Sequence, residues 1–249
     1  MIRLRIRSRV REIRSRVREI NDRREGQKIY ERVKDYTMVK EHAFCDNLAL
    51  ARKIISVSGC IVECGVWRGG MSAGLCAALG PDRTYFLFDS FKGLPEAQLI
   101  DGPAALEYQQ NKDSSDYHDN CTAPRHFAHR AMESVGARKF ELIGGWFHQT
   151  LPSFKPPEPI ALLRLDADWY ESTMTCLNHL FDYVAADGLI ILDDYYTWDG
   201  CSRALHDFLS SRKAIERIRS VNGSVCYLIR DRRVALDHRG SALLLNHNL

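Results

Sequence analysis

Short apolar runs recur along the chain from about residue 60 onward, and segments with helical spacing lie between most of them. Each run is too short for a typical helix and suits a buried strand. Strands that alternate with helices predict a parallel sheet covered by helices on both faces. The pattern places strands near residues 61–64, 85–89, 139–143, 160–165, 187–193, 214–219 and 224–230.

The last two runs are joined by a segment that contains Asn222-Gly223. Asn-Gly between apolar runs is the strongest short-range signal for a β-hairpin. We therefore expect the final strand to run antiparallel to its neighbour. Upstream of the first strand, Phe44, Leu48, Ala51 and Ile55 have helical spacing, which predicts a helix over residues 40–58.

Residues 1–25 form a separate basic segment, in which the octet IRSRVREI starting at Ile6 is repeated from Ile13. The seven-residue period places the isoleucines and valines on one stripe of a helix. The segment holds ten arginines against four acidic residues. Three interpretations stay open: pairing with a second copy in a homo-oligomer, contact with an anionic surface, or a solvated extension. Residues 26–40 would connect this helix to a main domain at 26–249.

The remaining bulk properties exclude several classes of protein. The formal net charge is +3, and the basic segment more than accounts for it. The rest of the chain therefore lacks the excess of positive charge that is expected of a nucleic-acid enzyme. No apolar run approaches the ~18 residues of a membrane span, and the N-terminus lacks the apolar core of a secretory signal. Eight cysteines without a CxxC pair predict reduced thiols in a cytoplasmic protein.

A long segment separates the second and third predicted strands, at residues 90–138, and its middle at 111–120 is polar without periodicity. A polar segment of this length beside a ligand site is either a substrate lid or a disordered insertion. We predict a lid insertion at about residues 95–130.

The first strand ends in an acid and a glycine turn. Glu63, Gly65 and Gly69 follow the order acid-x-Gly-x-x-x-Gly, and Asp89 ends the second strand. Glycines let the backbone approach a ligand, and an acid at this second strand end accepts ribose hydroxyls. The spacing differs from the dinucleotide fingerprint GxGxxG and suits S-adenosylmethionine, which has no pyrophosphate. The alternative is an ordinary tight turn.

Two further strands run into paired acids, at Asp166 and Asp168 and at Asp193 and Asp194. Ligands bind at the carboxyl edge of such a sheet, where these strand ends meet. Four converging carboxylates repel one another unless a cation neutralises them. Hard oxygen ligands suggest Mg²⁺ or another divalent cation. The alternative is that some of these acids cap the helices that follow.

Four motifs, in this order, resemble the macrocin O-methyltransferase family: residues 62–70, 88–95, 165–173 and 192–195. The resemblance covers roughly residues 36–230 and leaves out the basic repeat. It implies a class I methyltransferase domain, an α/β, Rossmann-like fold with a seven-stranded, mostly parallel sheet, an antiparallel last strand and helices on both faces. It also implies methylation of a sugar hydroxyl on a glycosylated natural product, with S-adenosylmethionine and a divalent cation.

The resemblance further implies roles for individual residues. S-adenosylmethionine would be contacted by Thr37, Met38, Glu63, Gly65, Ser72, Asp89, Ser90, Gly145 and Trp146. The cation would be held by Asp166, Asp193 and Asp194, and Asp168 would be the base unless Asp166 serves both roles.

Other functions are also consistent with parts of this pattern. A catechol-type O-methyltransferase acting on a small aromatic diol would use the same cation chemistry. A nucleotide-binding oxidoreductase is disfavoured by the turn spacing. A non-catalytic scaffold that dimerises through residues 1–20 is disfavoured by the four carboxylates, because an idle cluster of buried acids is destabilising.

Overall fold

The strands of the protein were located in a computed structural model, which describes residues 20–115, 117–232, 234–236 and 242–244. In chain order, the strands are β1 Cys60–Cys64, β2 Thr84–Asp89, β3 Lys139–Gly144, β4 Ile160–Leu165, β5 Val184–Leu192, β6 Arg219–Val221, β7 Val225–Ile229, β8 Val234–Leu236 and β9 Ala242–Leu244. The basic repeat of residues 6–20 lies outside the described residues except for residue 20.

Strands β1 to β7 form one sheet in the order β3-β2-β1-β4-β5-β7-β6. The pairs among β1 to β5 are parallel, and β7 runs antiparallel to both β5 and β6. Within the described residues, strands β8 and β9 form a separate two-stranded antiparallel sheet. The predicted fold class and the antiparallel last strand are confirmed.

The register of the sheet aligns the carboxyl ends of the five parallel strands. Phe88 pairs with Cys64, Cys64 with Leu165, and Leu165 with Leu192. The residues that follow these partners therefore lie side by side along one edge of the sheet. Those residues are Asp89, Gly65, Asp166 and Asp193.

Predicted strand bounds hold closely except for the sixth strand, which was expected at 214–219 and lies at Arg219–Val221. The segment before it has no regular structure. Its apolar Ile218 packs on the core and its Glu216 is buried against Arg230, so burial there does not reflect strand pairing. The hairpin sets the pairing instead, with Val221 opposite Val225.

The helices are α1 over 20–33, α2 Glu41–Lys53, α3 Gly70–Leu79, α4 Pro103–Gln110, α5 Arg125–Ser134, α6 Phe147–Thr150, α7 Tyr170–Leu180 and α8 Asp199–Ser211. Short 3₁₀ helices lie at Lys34–Tyr36, Leu99–Asp101, Asp119–Cys121, Leu151–Ser153, Phe181–Tyr183 and Asp194–Tyr196. Helix α2 is shorter than predicted. Ile55, which was expected on its buried face, is 55% exposed, so burial does not favour a longer helix. Helix α1 continues through the expected connector to residue 33, and its Ile29 and Val33 are buried in the core.

The sheet divides the core into two layers because successive side chains of a strand point to opposite faces. On one face, Ile61 and Leu87 pack with α1, α2, α3 and α5. On the other face, Val62 and Phe88 pack with α7 and α8. Both faces of the central strands are thus covered, and the carboxyl edge is the place where a ligand can reach the strand ends.

The predicted lid segment folds against this edge, and it contains α4 and two of the 3₁₀ helices. None of the helices in the described ranges has the length and apolar content to cross a bilayer. The eight cysteines are free thiols, seven of them buried and Cys121 half-buried.

Candidate active site

The turn after β1 is built around Gly65, which has a φ of +86°. A Cβ added there would lie 1.7 Å from the carbonyl oxygen of Asp166. Glycine is therefore required both by the left-handed backbone and by the close approach of the turn after β4. This contact brings the predicted cofactor turn directly beside the first predicted acid pair.

Asp89 closes the same turn from β2. Its Oδ2 accepts hydrogen bonds from the backbone amides of Val66 and Trp67, at 2.8 Å each, and its Oδ1 accepts one from Phe91 at 2.7 Å. Burial raises the pKa of Asp89, and the three amide donors oppose that shift. A carboxylate offers about four acceptor positions, so one remains for a ligand hydroxyl.

A cavity of about 460 Å³ opens at this edge of the sheet. Eight of the predicted site residues line it: Met38, Gly65, Asp89, Ser90, Gly145, Trp146, Asp166 and Asp168. Pro95 and Cys121 of the lid segment add to the wall, as do Gly93 and Leu94 just before it and Glu171, Ser172 and Thr175 of α7. The cofactor turn and one acid pair thus face a common space.

Three residues predicted to contact the cofactor do not line this cavity. Glu63 is 2% exposed and accepts hydrogen bonds from the Ser72 hydroxyl and, at 2.6 Å, from Arg164 Nη1. Ser72 is equally buried. The Thr37 hydroxyl accepts a hydrogen bond from its neighbour Val39 N at 3.1 Å. Glu63 and Ser72 therefore lie beneath the turn and hold each other.

Three carboxylates converge beside the cavity. Asp166, Asp168 and Asp194 each offer an oxygen, and these oxygens lie within 4.8 Å of one another. No ion pair to Asp168 or Asp194 is present among the described residues. The donor set is all hard oxygen, which fits Mg²⁺ or Mn²⁺. We call these three residues the acid cluster.

Asp193 is not part of the acid cluster, although it was predicted as a cation ligand. Its Oδ1 lies 2.7 Å from Arg164 Nη2, so its charge is already paired. The physical reason is that consecutive side chains at a strand end point in different directions. Asp166 pairs with Arg164 in the same way, so this pair does not exclude Asp193, and its role as a cation ligand stays a prediction.

Asp168 is held in an unusual backbone conformation, with a φ of +55°. Its amide donates to Asp194 Oδ2 at 3.0 Å, and its Oδ1 accepts a hydrogen bond from Trp198 Nε1 at 2.9 Å. A left-handed non-glycine residue is strained, and such residues concentrate at functional sites. The alternative role as a helix cap is not seen, because Asp101 Oδ1 binds the first amide of α7, at Tyr170, instead.

The acid cluster holds its protons more tightly than ordinary carboxyl groups do. Burial raises the pKa of Asp168 to about 7 and that of Asp166 to about 8, and nearby carboxylates add to both shifts. Burial and the other cluster acids also raise the pKa of Asp194 well above its usual value. Like charges in a partly buried space cause this, and a bound cation would reverse it.

Arg164 is the site residue that the sequence prediction missed. It is fully buried in β4 and pairs with Glu63, with Asp166 at 2.9 Å and with Asp193. An arginine inside the otherwise apolar run of residues 160–165 was the available signal. A charge in a central strand must be paired, and acids at both neighbouring strand ends were the obvious partners.

Comparison with known proteins identifies the family. Residues 2–230 match the family described as Macrocin-O-methyltransferase (TylF). The chain belongs to the macrocin O-methyltransferase family. The match begins at residue 2, so the expectation that the basic repeat lies outside the resemblance was wrong. The repeat contains none of the four motifs on which the resemblance rested, so the sequence analysis did not include it in the family match.

Three curated relatives of the chain are O-methyltransferases by name. Mycinamicin III 3''-O-methyltransferase of Micromonospora griseorubida is 33% identical over 159 residues, which is 61% of each chain. The 8-demethyl-8-(2,3-dimethoxy-alpha-L-rhamnosyl)-tetracenomycin-C 4'-O-methyltransferase of Streptomyces olivaceus is 31% identical, covering 68% of this chain and 64% of the relative. Demethyldecarbamoylnovobiocin O-methyltransferase of Streptomyces niveus is 30% identical, covering 71% and 68%. The match thus spans less than two thirds of the first two relatives.

Solved structures agree with the fold. The O-methyltransferase NovP superposes with a TM-score of 0.65 at 26% identity, over 79% of this chain and 83% of that chain. The calicheamicin methyltransferase CalS11 superposes with a TM-score of 0.61 at 23% identity, over 78% and 80%. The second likeness supports the class I methyltransferase fold alone.

Proposed function

We propose that this protein transfers a methyl group from S-adenosylmethionine to a sugar hydroxyl of a glycosylated natural product, aided by a divalent cation such as Mg²⁺. One observation carries the proposal: Gly65 and Asp89 of the cofactor turn and Asp166 and Asp168 of the acid cluster line the same cavity. Donor and cation can therefore meet across one acceptor position. The name of one relative, which specifies a rhamnosyl group on tetracenomycin C, supports a sugar as the acceptor.

The donor side of the cavity lies around the β1 turn. Asp89 has acceptor capacity left for a ribose hydroxyl after its three amide bonds. Gly145 and Trp146 follow β3 at the neighbouring position, where an aromatic face and an open backbone suit a purine ring. Glu63 and Ser72 support this side from beneath, without cavity contact.

The acceptor side lies around the acid cluster. When bound, the donor supplies the methyl group, and the cation lowers the pKa of a hydroxyl that it contacts. Asp166 and Asp194 would hold the cation, and the Asp168 carboxylate lies beside them. We assign the base to Asp168, because it is not ion-paired to Arg164 and can accept a proton without breaking a buried pair.

The chemical step is then a simple displacement. Asp168 would take the hydroxyl proton as the acceptor oxygen bonds to the methyl carbon of the donor, and S-adenosylhomocysteine would leave as the carbon–sulfur bond breaks. The protein contributes mainly alignment, which can supply about 7–11 kcal/mol when the reacting groups are well placed.

The test is a methyl-transfer assay with S-adenosylmethionine, MgCl₂ and two acceptor panels, glycosylated macrolides and simple catechols. Mass spectrometry should show the addition of one methyl group to a glycoside, and EDTA should stop it. Faster methylation of catechols would favour the small aromatic diol as substrate. Full activity in EDTA would contradict the role of the cation.

A further inference from the structure

Part of the cavity wall is built from two segments that are separate in sequence, residues 93–95 and Cys121. Asn120 joins them, because its backbone carbonyl accepts a hydrogen bond from Leu94 N at 2.9 Å and its Nδ2 donates to the Leu94 carbonyl at 2.8 Å. A Cβ added at Gly93 would lie 2.3 Å from the Asn120 carbonyl oxygen, so only glycine allows this approach. We call the following three residues the lid wall: Leu94, Pro95 and Cys121.

Gln109 of α4 also holds the lid wall. Its Nε2 donates to the Pro95 carbonyl at 2.8 Å and to Asn120 Oδ1 at 3.0 Å. Its Oε1 accepts a hydrogen bond from Ala97 N at 2.7 Å. The Trp169 indole donates a further bond to the Pro95 carbonyl, at 2.9 Å. Polar groups that satisfy one another in this way fix the position of a segment, so the lid wall has a defined place in the cavity.

Cys121 ends a run of three residues with left-handed backbones. The φ angles are +48° at Asp119, +51° at Asn120 and +59° at Cys121. Such angles are uncommon outside glycine, and strained residues concentrate at functional sites. The bonds of Asn120 to Leu94 and Gln109 hold this turn, and the turn places Cys121 in the cavity wall.

The thiol of Cys121 lies on the acid-cluster side of the cavity. Its Sγ is 3.4 Å from the Tyr108 hydroxyl oxygen. The ring centroids of Tyr108 and Trp198 are 5.7 Å apart, and the Trp198 indole donates to Asp168 Oδ1 at 2.9 Å. Burial raises the pKa of Cys121 to about 12, and the charge of Asp168 adds to that shift. The thiol is therefore protonated and uncharged, and it lies close to the residue that we assign as base.

An acceptor bound between the lid wall and the acid cluster would meet two different surfaces. A sugar ring presents hydroxyl groups and also C–H groups, which are apolar. The carboxylates of Asp166 and Asp168 suit the hydroxyl groups, because they accept hydrogen bonds. A protonated cysteine behaves as a small hydrophobic side chain, and Cys121 shares the lid wall with Leu94 and Pro95. The lid wall therefore suits the C–H groups.

We infer that Cys121 is a specificity-determining residue, whose small, uncharged side chain contacts the C–H groups of the acceptor sugar and leaves the space that this sugar occupies. The inference rests on the proposed function, since it takes the acceptor to bind in this cavity. The acid cluster would then select for hydroxyl groups, and Cys121 for the size of the acceptor.

The test is the steady-state kinetics of Cys121→Leu with the glycosylated macrolide that the wild type methylates fastest. Leucine is larger than cysteine and would fill part of the acceptor space. We expect the KM for the macrolide to rise about tenfold, as the cost of overpacking predicts, while kcat changes little. The KM for S-adenosylmethionine and the calorimetric affinity for S-adenosylhomocysteine should stay as in the wild type, because the donor binds on the other side of the cavity. Thermal unfolding checks that the variant is folded.

Cys121→Ala is a second variant, which cannot clash with the rest of the lid segment. It removes a group of about the size of a methylene, so the KM for the macrolide should rise less, by about threefold to fourfold. The control is His118→Leu, since His118 lies in the same turn with an exposed side chain and is outside the cavity wall. Its KM values should match those of the wild type.

A wild-type KM for the macrolide in both Cys121 variants would overturn the inference alone. An equal rise in His118→Leu would also overturn it, because a general disturbance of the lid segment would then be the cause. A rise in the KM for S-adenosylmethionine alone would do the same, since it would place Cys121 on the donor side. A wild-type protein that methylates only catechols, or no acceptor at all, would overturn the proposed sugar acceptor and the inference with it.

Discussion

Two groups of carboxylates lie at the same edge of the sheet, and they differ in how their charge is balanced. Glu63 and Asp193 surround Arg164, a cation that the protein itself supplies. Asp168 and Asp194 have no ion pair among the described residues, and only backbone and indole donors reach them. Asp166 belongs to both groups, since it pairs with Arg164 and faces the cavity.

We propose that this difference separates the structural acids from those that would bind a cation. A buried arginine pairs with three carboxylates at the ends of β1, β4 and β5. These carboxylates are paired within the protein, without any added ion. In the acid cluster, burial and neighbouring carboxylates raise the pKa values, and a bound cation would lower them again. The predictions below test each side of this comparison, from the largest expected effect to the smallest.

Arg164→Met should destabilise the fold most. It leaves buried carboxylates without a partner, and breaking a buried ion pair costs about 3–5 kcal/mol. Chemical denaturation of the cation-free protein measures this loss. The control is Arg138→Met, because Arg138 pairs with Asp82 at the surface, where both side chains are about 70% exposed. A loss no larger than that of the control would show that Arg164 is not the structural cation.

Asp194→Asn should remove most of the affinity for Mn²⁺, by more than the 10–100-fold typical of residues that only support a ligand. The substitution keeps shape and removes the charge of one cluster oxygen. Asp207→Asn on α8 is the control, since Asp207 is exposed and bonds to the Tyr170 hydroxyl. Unchanged Mn²⁺ binding in Asp194→Asn would remove this residue from the cation site.

Asp89→Asn should weaken binding of S-adenosylhomocysteine about tenfold, since one hydrogen bond to a charged group is worth about 1.5–3 kcal/mol. Isothermal calorimetry measures the affinity, and Mn²⁺ binding in the same variant should stay as in the wild type. An unaltered nucleoside affinity would mean that Asp89 serves only the turn after β1.

The affinity for Mn²⁺ should rise with pH, by about tenfold between pH 7 and pH 8. The pKa values of about 7 for Asp168 and about 8 for Asp166 mean that the cation must displace protons in this range. The same raised pKa values make the cation-free fold less stable as pH rises, because the unfolded chain has lost these protons above about pH 4. Thermal unfolding with EDTA from pH 5 to 8 measures that trend, and a flat profile would contradict it.

The central fold was predictable because burial dictates it. Strands β1 to β5 read as apolar runs, since both of their faces are covered. The short edge strand β6 was misplaced because Arg219 and Ser220 are exposed, so no apolar pattern marks them. Its position depends on the hairpin turn rather than on burial.

The site was predictable as far as strand ends determine it. The register of the parallel strands brings Gly65, Asp89 and Asp166 to one edge of the sheet, independently of their side-chain conformations. The pairing of Glu63 and Asp193 with Arg164 was not predicted, because the sequence does not show which acids a buried arginine takes. The bond from Trp198 to Asp168 spans 30 residues and depends on the packing of α8 against α7, which no local pattern shows.

The most direct test is anomalous diffraction from crystals of the protein grown with MnCl₂ and S-adenosylhomocysteine. We predict one manganese peak at the carboxylates of Asp166 and Asp194, with Asp168 and the sulfur of the bound nucleoside beside it. A structure with the nucleoside in the cavity and manganese elsewhere, or with no manganese at all, would contradict the claim that the acid cluster is a cation site.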